Sequence, residues 1–236
     1  MRIQKLKIKS IKKAVKIGGR LVGSFLLLII LLLLFLRSST VQTYLTQRIA
    51  SYFSDRLETT VSLSKVDIDF FKTLVLEDFL IKDLSGDTLF YSGRLGLDLK
   101  LIQPNEQSLV VNQITLENTL FDLTTWDDRK GSNYDFIVDY FSPTEKVIDT
   151  NQAAWKLNFD RVELINAHFI YNDDGHQEAK YGIDFSHIDA RAVYGTFEEL
   201  EILNDTIFST VSGLRFKEKS GFELQNLSGL AKVHGT

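Results

Sequence analysis

The 236-residue chain contains no cysteine and only two prolines. Without cysteine there is no disulfide framework, no thiolate metal site and no Cys nucleophile. Two prolines exclude collagen and Pro-rich linkers. Acidic residues are missing from residues 1–37, which hold nine of the 27 Lys and Arg. The other 199 residues carry 18 basic and 31 acidic groups, a net of −13. So acidic a body argues against nucleic-acid binding, because phosphates need a basic surface. Chemistry-bearing motifs are missing too: there is no G-x-S-x-G, P-loop, strand-borne G-x-G-x-x-G or H-E-x-x-H. Asp173-Asp174 with His176 is the one cluster resembling a metal site, and it reads better as an exposed Asp-Gly hairpin tip. The sequence therefore predicts no enzyme, no catalytic, metal or cofactor-binding residue and no cofactor.

What is present begins with a basic, greasy head. Leu21–Leu36 is a run of sixteen residues without a charge. At about 1.5 Å per residue it spans roughly 24 Å, and extension back to Ile17 brings it near the ~30 Å of a bilayer core. Arg20 and Arg37 are the membrane-flanking residues, placed to snorkel to the headgroups. The sequence thus predicts a cytoplasmic basic tail over 1–16 and a transmembrane helix over 17–36. Eight Lys and Arg precede the uncharged run and only Arg37 follows at once, so the acidic body is translocated. In a Gram-negative cell this is an inner-membrane, single-pass protein with its bulk in the periplasm. The long basic region, the length of the run and the lack of an A-x-A-like site after Arg37 favour an uncleaved anchor over a signal peptide.

Val41, Tyr44, Leu45, Ile49, Tyr52, Phe53 and Leu57 recur at intervals of three and four. They form the apolar stripe of an amphipathic helix over 39–58, with Ser39 or Thr40 as its cap. From Val61 the period changes to two. Leu89, Tyr91, Gly93, Leu95, Leu97, Leu99 and Leu101 alternate with Phe90, Ser92, Arg94, Gly96, Asp98 and Lys100. Trp155, Leu157, Phe159, Ile165, Ala167, Phe169 and Tyr171 repeat the pattern, with shorter versions at Val66–Phe70, Ile183–Phe185 and Phe222–Leu224. Ser85–Asp87, Asp127–Gly131, Asn172–Gly175 and Lys219–Gly221 read as hairpin loops. Ser142–Gln152 reads as a longer loop, and Glu198–Glu201 as either a helical turn or a solvated strand edge.

A loose repeat runs through the strands: Leu76-Glu77-Asp78, Leu116-Glu117-Asn118, Leu164-Ile165-Asn166 and Leu224-Gln225-Asn226. Two explanations fit equally: one bulge per long strand at the Asp or Asn, or an Asp or Asn marking a strand end.

Long amphipathic strands leave one apolar face to be removed from water. A second sheet makes a sandwich, closure makes a barrel, and lipid chains fill a curled sheet left open. Sandwich strands are usually short, and a transmembrane barrel does not carry a spanning helix. The expected architecture is mainly β: N-terminal helices, then over 61–236 a long-stranded antiparallel curled sheet with an open hydrophobic groove. The candidate lipid-facing residues are Leu89, Tyr91, Leu95, Leu97, Leu99, Leu101, Trp155, Leu157, Phe159 and Phe169, and the partners are phospholipid acyl chains and the inner membrane. The alternative is a membrane-tethered β-sandwich that binds a protein or glycan. Since the chain stops within strand-like sequence, Gly229–Thr236, the sheet domain is expected to be incomplete at its C-terminus.

The basic Leu-rich anchor, Val41-Gln42-Thr43-Tyr44-Leu45-Thr46 and Val61–Phe70 together resemble the opening of the TamB/AsmA-like proteins of Bacteroidota. Leu74–Asp78, Gly86–Tyr91 and Phe216–Phe222 match the same pattern. The resemblance implies an inner-membrane-anchored periplasmic protein of outer-membrane biogenesis. Such a protein carries lipids between membranes or supports outer-membrane protein assembly beside an outer-membrane barrel protein. The chain departs from the family in being far shorter, and in lacking a glycine at Glu58-Thr59-Thr60, where a helix C-cap is expected.

Overall fold

A computed structural model describes residues 23–25, 27–28, 31, 38–69, 73–103, 108–127, 131–141, 156–203 and 206–234. Two compact units divide at Tyr44/Leu45. In the first, Gly23–Phe25, Leu27, Leu28 and Leu31 are helical, with Phe25 and the three leucines exposed. The rest of the predicted span over 17–36, with Arg20 and Arg37, lies outside the described residues. No helix among the described residues is long and apolar enough to cross a membrane.

Helix α1, Ser39–Leu57, lies within the span 39–58 read as helical from the sequence. Its cap is Ser38, one residue earlier than expected: the Val41 N–H donates to the Ser38 hydroxyl at 3.4 Å. At the other end Glu58 takes φ +52°, so a glutamate occupies the left-handed position that glycine usually fills. Leu45, Ile49, Phe53 and Leu57 turn into the core, whereas Tyr44 is exposed.

The second unit is mainly β, a large, open, curled and mostly antiparallel sheet. Its strands are β1 (Val61–Ser62), β2 (Lys65–Asp69), β3 (Thr73–Lys82), β4 (Thr88–Gln103), β5 (Ser108–Thr125), β6 (Lys156–Asp173), β7 (His187–Leu203), β8 (Thr206–Glu218) and β9 (Glu223–His234). They lie in the order β1-β3-β4-β5-β6-β7-β8-β9, with β2 paired beside β1 on the free side of β3. Among the described residues there is no second sheet, so the sandwich alternative loses its architecture. Strands β4 and β6 reach 16 and 18 residues, consistent with the two long alternating runs, and β5 reaches 18 without having been singled out by its sequence.

One pairing departs from the expected antiparallel sheet, since β5 and β6 are parallel. Parallel neighbours need a crossover rather than a tight turn. The connection begins with the expected tight reversal, closed by an antiparallel Thr125–Ser132 bridge with the Trp126 N–H donating to the Gly131 carbonyl at 3.2 Å, and then enters α2, Asp135–Phe141. Helix α2 escaped the sequence reading because its residues are mostly β-branched or aromatic. Its signal was Ser132-x-x-Asp135: the Ser132 N–H donates to the Asp135 carboxylate, one half of a capping box, and the Ser132 hydroxyl donates to the same carboxylate. Residues 142–152 lie outside the described set.

Ile183–Phe185 forms no strand either. The Asp184 carboxylate accepts the N–H groups of Ala179 (2.7 Å) and Ser186 (2.9 Å), and this side-chain turn displaces ladder pairing. Glu198–Glu201 belongs to β7, with Glu199 at φ +53°.

Helix α1 closes one edge of the sheet. The Val61 N–H donates to the Ser54 hydroxyl at 2.9 Å, and that hydroxyl donates to the Val61 carbonyl at 3.2 Å. The Val66 N–H donates to the Thr46 hydroxyl at 3.1 Å. Edge groups open to foreign strands are thereby satisfied from within.

The Asp and Asn repeat marks a transverse seam. Asp78, Asn118 and Asn166 take φ of +51°, +51° and +56°. Asp78 lies opposite Gly93, Gly93 opposite Asn118, and Asn118 beside Asn166, whose amide donates to it at 2.8 Å. Register is unchanged on passing these positions in β3–β4, β4–β5 and β5–β6. They are therefore matched insertions and not the two-against-one bulges the sequence allowed. A Cβ on Gly93 would stand 3.3 Å from that of Asn118, which explains the glycine. In β7 the seam becomes a true irregularity, with Ala192 at φ +51° between shifted pairs. Asn226 does not join the set; the left-handed residues nearest it are Gly213 and Gly229.

The seam reverses the alternation of its strands, at left-handed Asp78 and Asn166 and at Gly93, which is not itself left-handed. Leu76 and Phe79, Phe90 and Leu95, and Leu164 and Ala167 would face opposite sides of uninterrupted strands. Here each pair lies in one packed cluster.

Strain at the seam is measurable. A left-handed non-glycine residue costs on the order of 1 kcal/mol. Ala192→Gly is expected to stabilise the protein by about 0.5–1 kcal/mol and Ala192→Val to destabilise it by about 1–2 kcal/mol. Urea midpoints read both, and equal midpoints would remove the strain.

Candidate lipid-binding face

The two sides of the sheet differ in chemistry. On one, charges pair across strands: Lys65 with Glu77 at 3.2 Å, Arg94 with Glu117 at 2.6 Å, and Arg161 with Glu198. Gln113 donates to Glu163 at 2.7 Å on the same side. At the seam the Asp78 carboxylate accepts the Tyr91 hydroxyl (2.7 Å) and the Ser64 hydroxyl (2.8 Å), and these bonds hold it below the usual carboxylate range. Asp189 is likewise held low, by Arg191 above all and then by His168, against the opposing effect of burial.

The other side is apolar on both halves of the seam. Beyond it, Phe79, Phe90, Phe121 and Phe169 make a ladder across four strands, with ring centroids 6.0, 5.2 and 6.4 Å apart. Between these rings and the seam, Ser92 and Thr119 are buried and share a hydrogen bond of 2.9 Å. Before the seam, register places Leu95, Leu116 and Leu164 in one row and Leu97, Ile114, Val162 and Phe197 in the next.

Helices cover part of this side. Side chains of α1, with Phe136 and Tyr140 of α2, pack against Val61, Val66, Leu76 and Phe79, and the cluster extends to Leu74, Leu95 and Phe90. A second cluster holds Ala167, Ala190 and Val193 with Leu164, Phe169, Ile188, Leu214 and Phe216. Leu97, Ile114, Val162 and Phe197 belong to neither cluster and are half-buried.

The predicted lipid-facing set is divided by this geometry. Leu95 and Leu97 lie on the apolar side. Tyr91 is on the opposite side, since its neighbour Phe90 enters the cluster. The odd-numbered stripe from Leu89 to Leu101 is thus not one face, because the alternation reverses at Gly93. Leu89 sits at the shift opposite Ile81/Lys82 and is only 2% exposed, closed within the protein. Leu99 and Phe159 are half-buried and lie on either side of fully buried Val111, while Phe169 ends the aromatic ladder. Trp155 and the side chains of Leu101 and Leu157 are outside the described set. Sequence reasoning missed Ile114, Leu116, Val162, Leu164 and Phe197. Their signal is present once Asn118 and Asn166 are read as phase reversals.

Other chemistry is sparse. No group of three His, Asp or Glu is disposed to hold a metal ion among the described residues. The His176 ring bonds Asp173 at 2.8 Å within its turn. Burial, the largest influence on Asp122, lifts its carboxyl above the usual range.

No family model, curated protein or solved structure matches the chain.

Proposed function

We propose that the chain is an inner-membrane-anchored periplasmic component of outer-membrane biogenesis, akin to the TamB/AsmA-like proteins. Its sheet is a groove that holds phospholipid acyl chains and passes lipid between membranes, or steadies outer-membrane protein assembly beside a barrel partner. One observation carries the reading: the row Leu97–Ile114–Val162–Phe197 is a half-buried apolar strip on a single sheet, left outside both packed clusters. Fully burying such a side chain gains about 1.5–3 kcal/mol, so a strip left half-buried gains from an apolar occupant. Acyl chains provide one without demanding hydrogen bonds from the face. The charge-paired reverse side suits water.

A photo-reactive residue at position 114, introduced into the full chain in native membranes, is expected to form phospholipid adducts on irradiation. The same probe at Thr115, on the polar side, is expected to give none. Equal labelling at both positions, or none at 114, would sink the groove.

A further inference from the structure

Strands β3, β5, β6 and β8 end, and β4, β7 and β9 begin, at one end of the sheet. Exposed apolar side chains gather there: Trp126, Tyr181, Ile183, Phe185 and Phe222. The segment 174–186 joins them into one surface. The Asp174 N–H donates to the Thr125 carbonyl at 2.9 Å, tying the segment to the exit of β5. On the other side Lys219 in the β8–β9 turn pairs with Glu178, and the Lys219 N–H donates to the Asp189 carbonyl at 3.0 Å.

The backbone of this segment is held. Asp184 accepts two N–H groups, Asp173 accepts that of Gly175 at 3.0 Å, and the Asp173 N–H donates to Ser186 at 2.8 Å. Yet Tyr181 is 92% and Phe185 77% exposed. Aromatic rings projected from a pinned loop lose little freedom on being covered, which is the composition and preorganisation of a protein-binding hot spot.

Charge selects the partner. Around segment 174–186, Asp127, Asp173, Asp174, Glu178 and Asp184 outnumber Lys180 and Lys219; nearby Lys217 pairs with Glu223, Arg191 pairs with Asp189, and Glu218 is buried. Such a surface repels anionic lipid and nucleic acid, and complements a cationic one. We propose that this end docks a protein surface of Lys and Arg set around apolar pockets that receive Tyr181 and Phe185. The inference is independent of the lipid groove.

The full-length protein in nanodiscs is titrated with an amphipathic Lys/Leu peptide, its Glu/Leu counterpart, and phosphatidylcholine and phosphatidylglycerol vesicles, and its self-association is followed by sedimentation. The Lys peptide is expected to bind, with Kd rising with salt. A Tyr181→Ser/Phe185→Ser double variant raises Kd by about tenfold, and Asp127→Asn or Asp174→Asn by about threefold each. Leu97→Glu, on the lipid-facing strip, leaves peptide binding unchanged and so separates this proposal from the groove. The proposal is overturned by equal binding of the Glu peptide, by variants that leave Kd unchanged, by vesicle capture that needs Tyr181 and Phe185, or by a dimer that the double variant abolishes.

Discussion

Phe79→Ala is expected to lower stability by about 3–4 kcal/mol, the usual cost of removing a buried phenylalanine. Its ring is buried, makes an edge contact with Phe90 at 6.0 Å, and packs with Leu57, Val61, Val66 and Leu76. Three layers meet there: α1, the closed edge of the sheet and the aromatic ladder. Phe79 also follows Asp78 directly, so it faces the core only because the alternation has just reversed. Were the strand uninterrupted, the substitution would touch the solvated side and cost under about 0.5 kcal/mol. For a chain of this size the expected loss lowers Tm by about 10 °C. A shift of only one or two degrees would mean that Phe79 is not in the core.

Ile114→Glu is expected to have the largest functional effect. The side chain lies mid-strip between Leu97 and Val162, among apolar neighbours. If the strip holds lipid as proposed, a carboxylate there would meet acyl chains, and an unpaired charge in hydrocarbon costs at least about 2.5 kcal/mol. Phospholipid copurifying with the full chain should fall by about tenfold or more. Folding should change by less than about 1 kcal/mol, because Ile114 belongs to neither packed cluster and the glutamate can reach water. Lipid content is read by mass spectrometry and stability by urea unfolding on the same samples. Unfolding without lipid loss would show that the strip is a closed core, and the transport reading would fall with it.

Much of the fold was legible because it rests on local chemistry. Helix α1, the turns at Ser85–Asp87 and Lys219–Gly221, and the length of β4 and β6 follow from periodicity and Gly/Asp punctuation. So do three of the four left-handed seam residues, since Asp and Asn tolerate that conformation better than other side chains. What escaped depends on more than local pattern. Counting by twos assumes that no residue inside a strand reverses it, so Tyr91 was placed with Leu95. Nothing in the sequence around Ala192 or Glu199 announces a positive φ, since alanine and glutamate are ordinary strand passengers. The parallel pairing of β5 with β6 depends on where a long connection returns, and residues within either strand do not encode that. Ile183 and Phe185 alternate like a strand, but the carboxylate between them competes for the backbone.

Of the candidate lipid face, the apolar character was legible and the membership was not. Leu95 and Leu97 were found by alternation alone. Ile114 and Val162 needed Asn118 and Asn166 to be read first.

The matched insertions make the sheet behave like text with a shared frame. Removing Asp78 alone would turn the far half of β3 inside out, placing Phe79 and Ile81 in water and Leu80 in the core, while β4 kept its orientation. Losing one residue from the turn at Asp83–Asp87 shortens a loop and inverts nothing. Length can therefore drift at the ends of these strands, but across the crease it can change only in several strands at once.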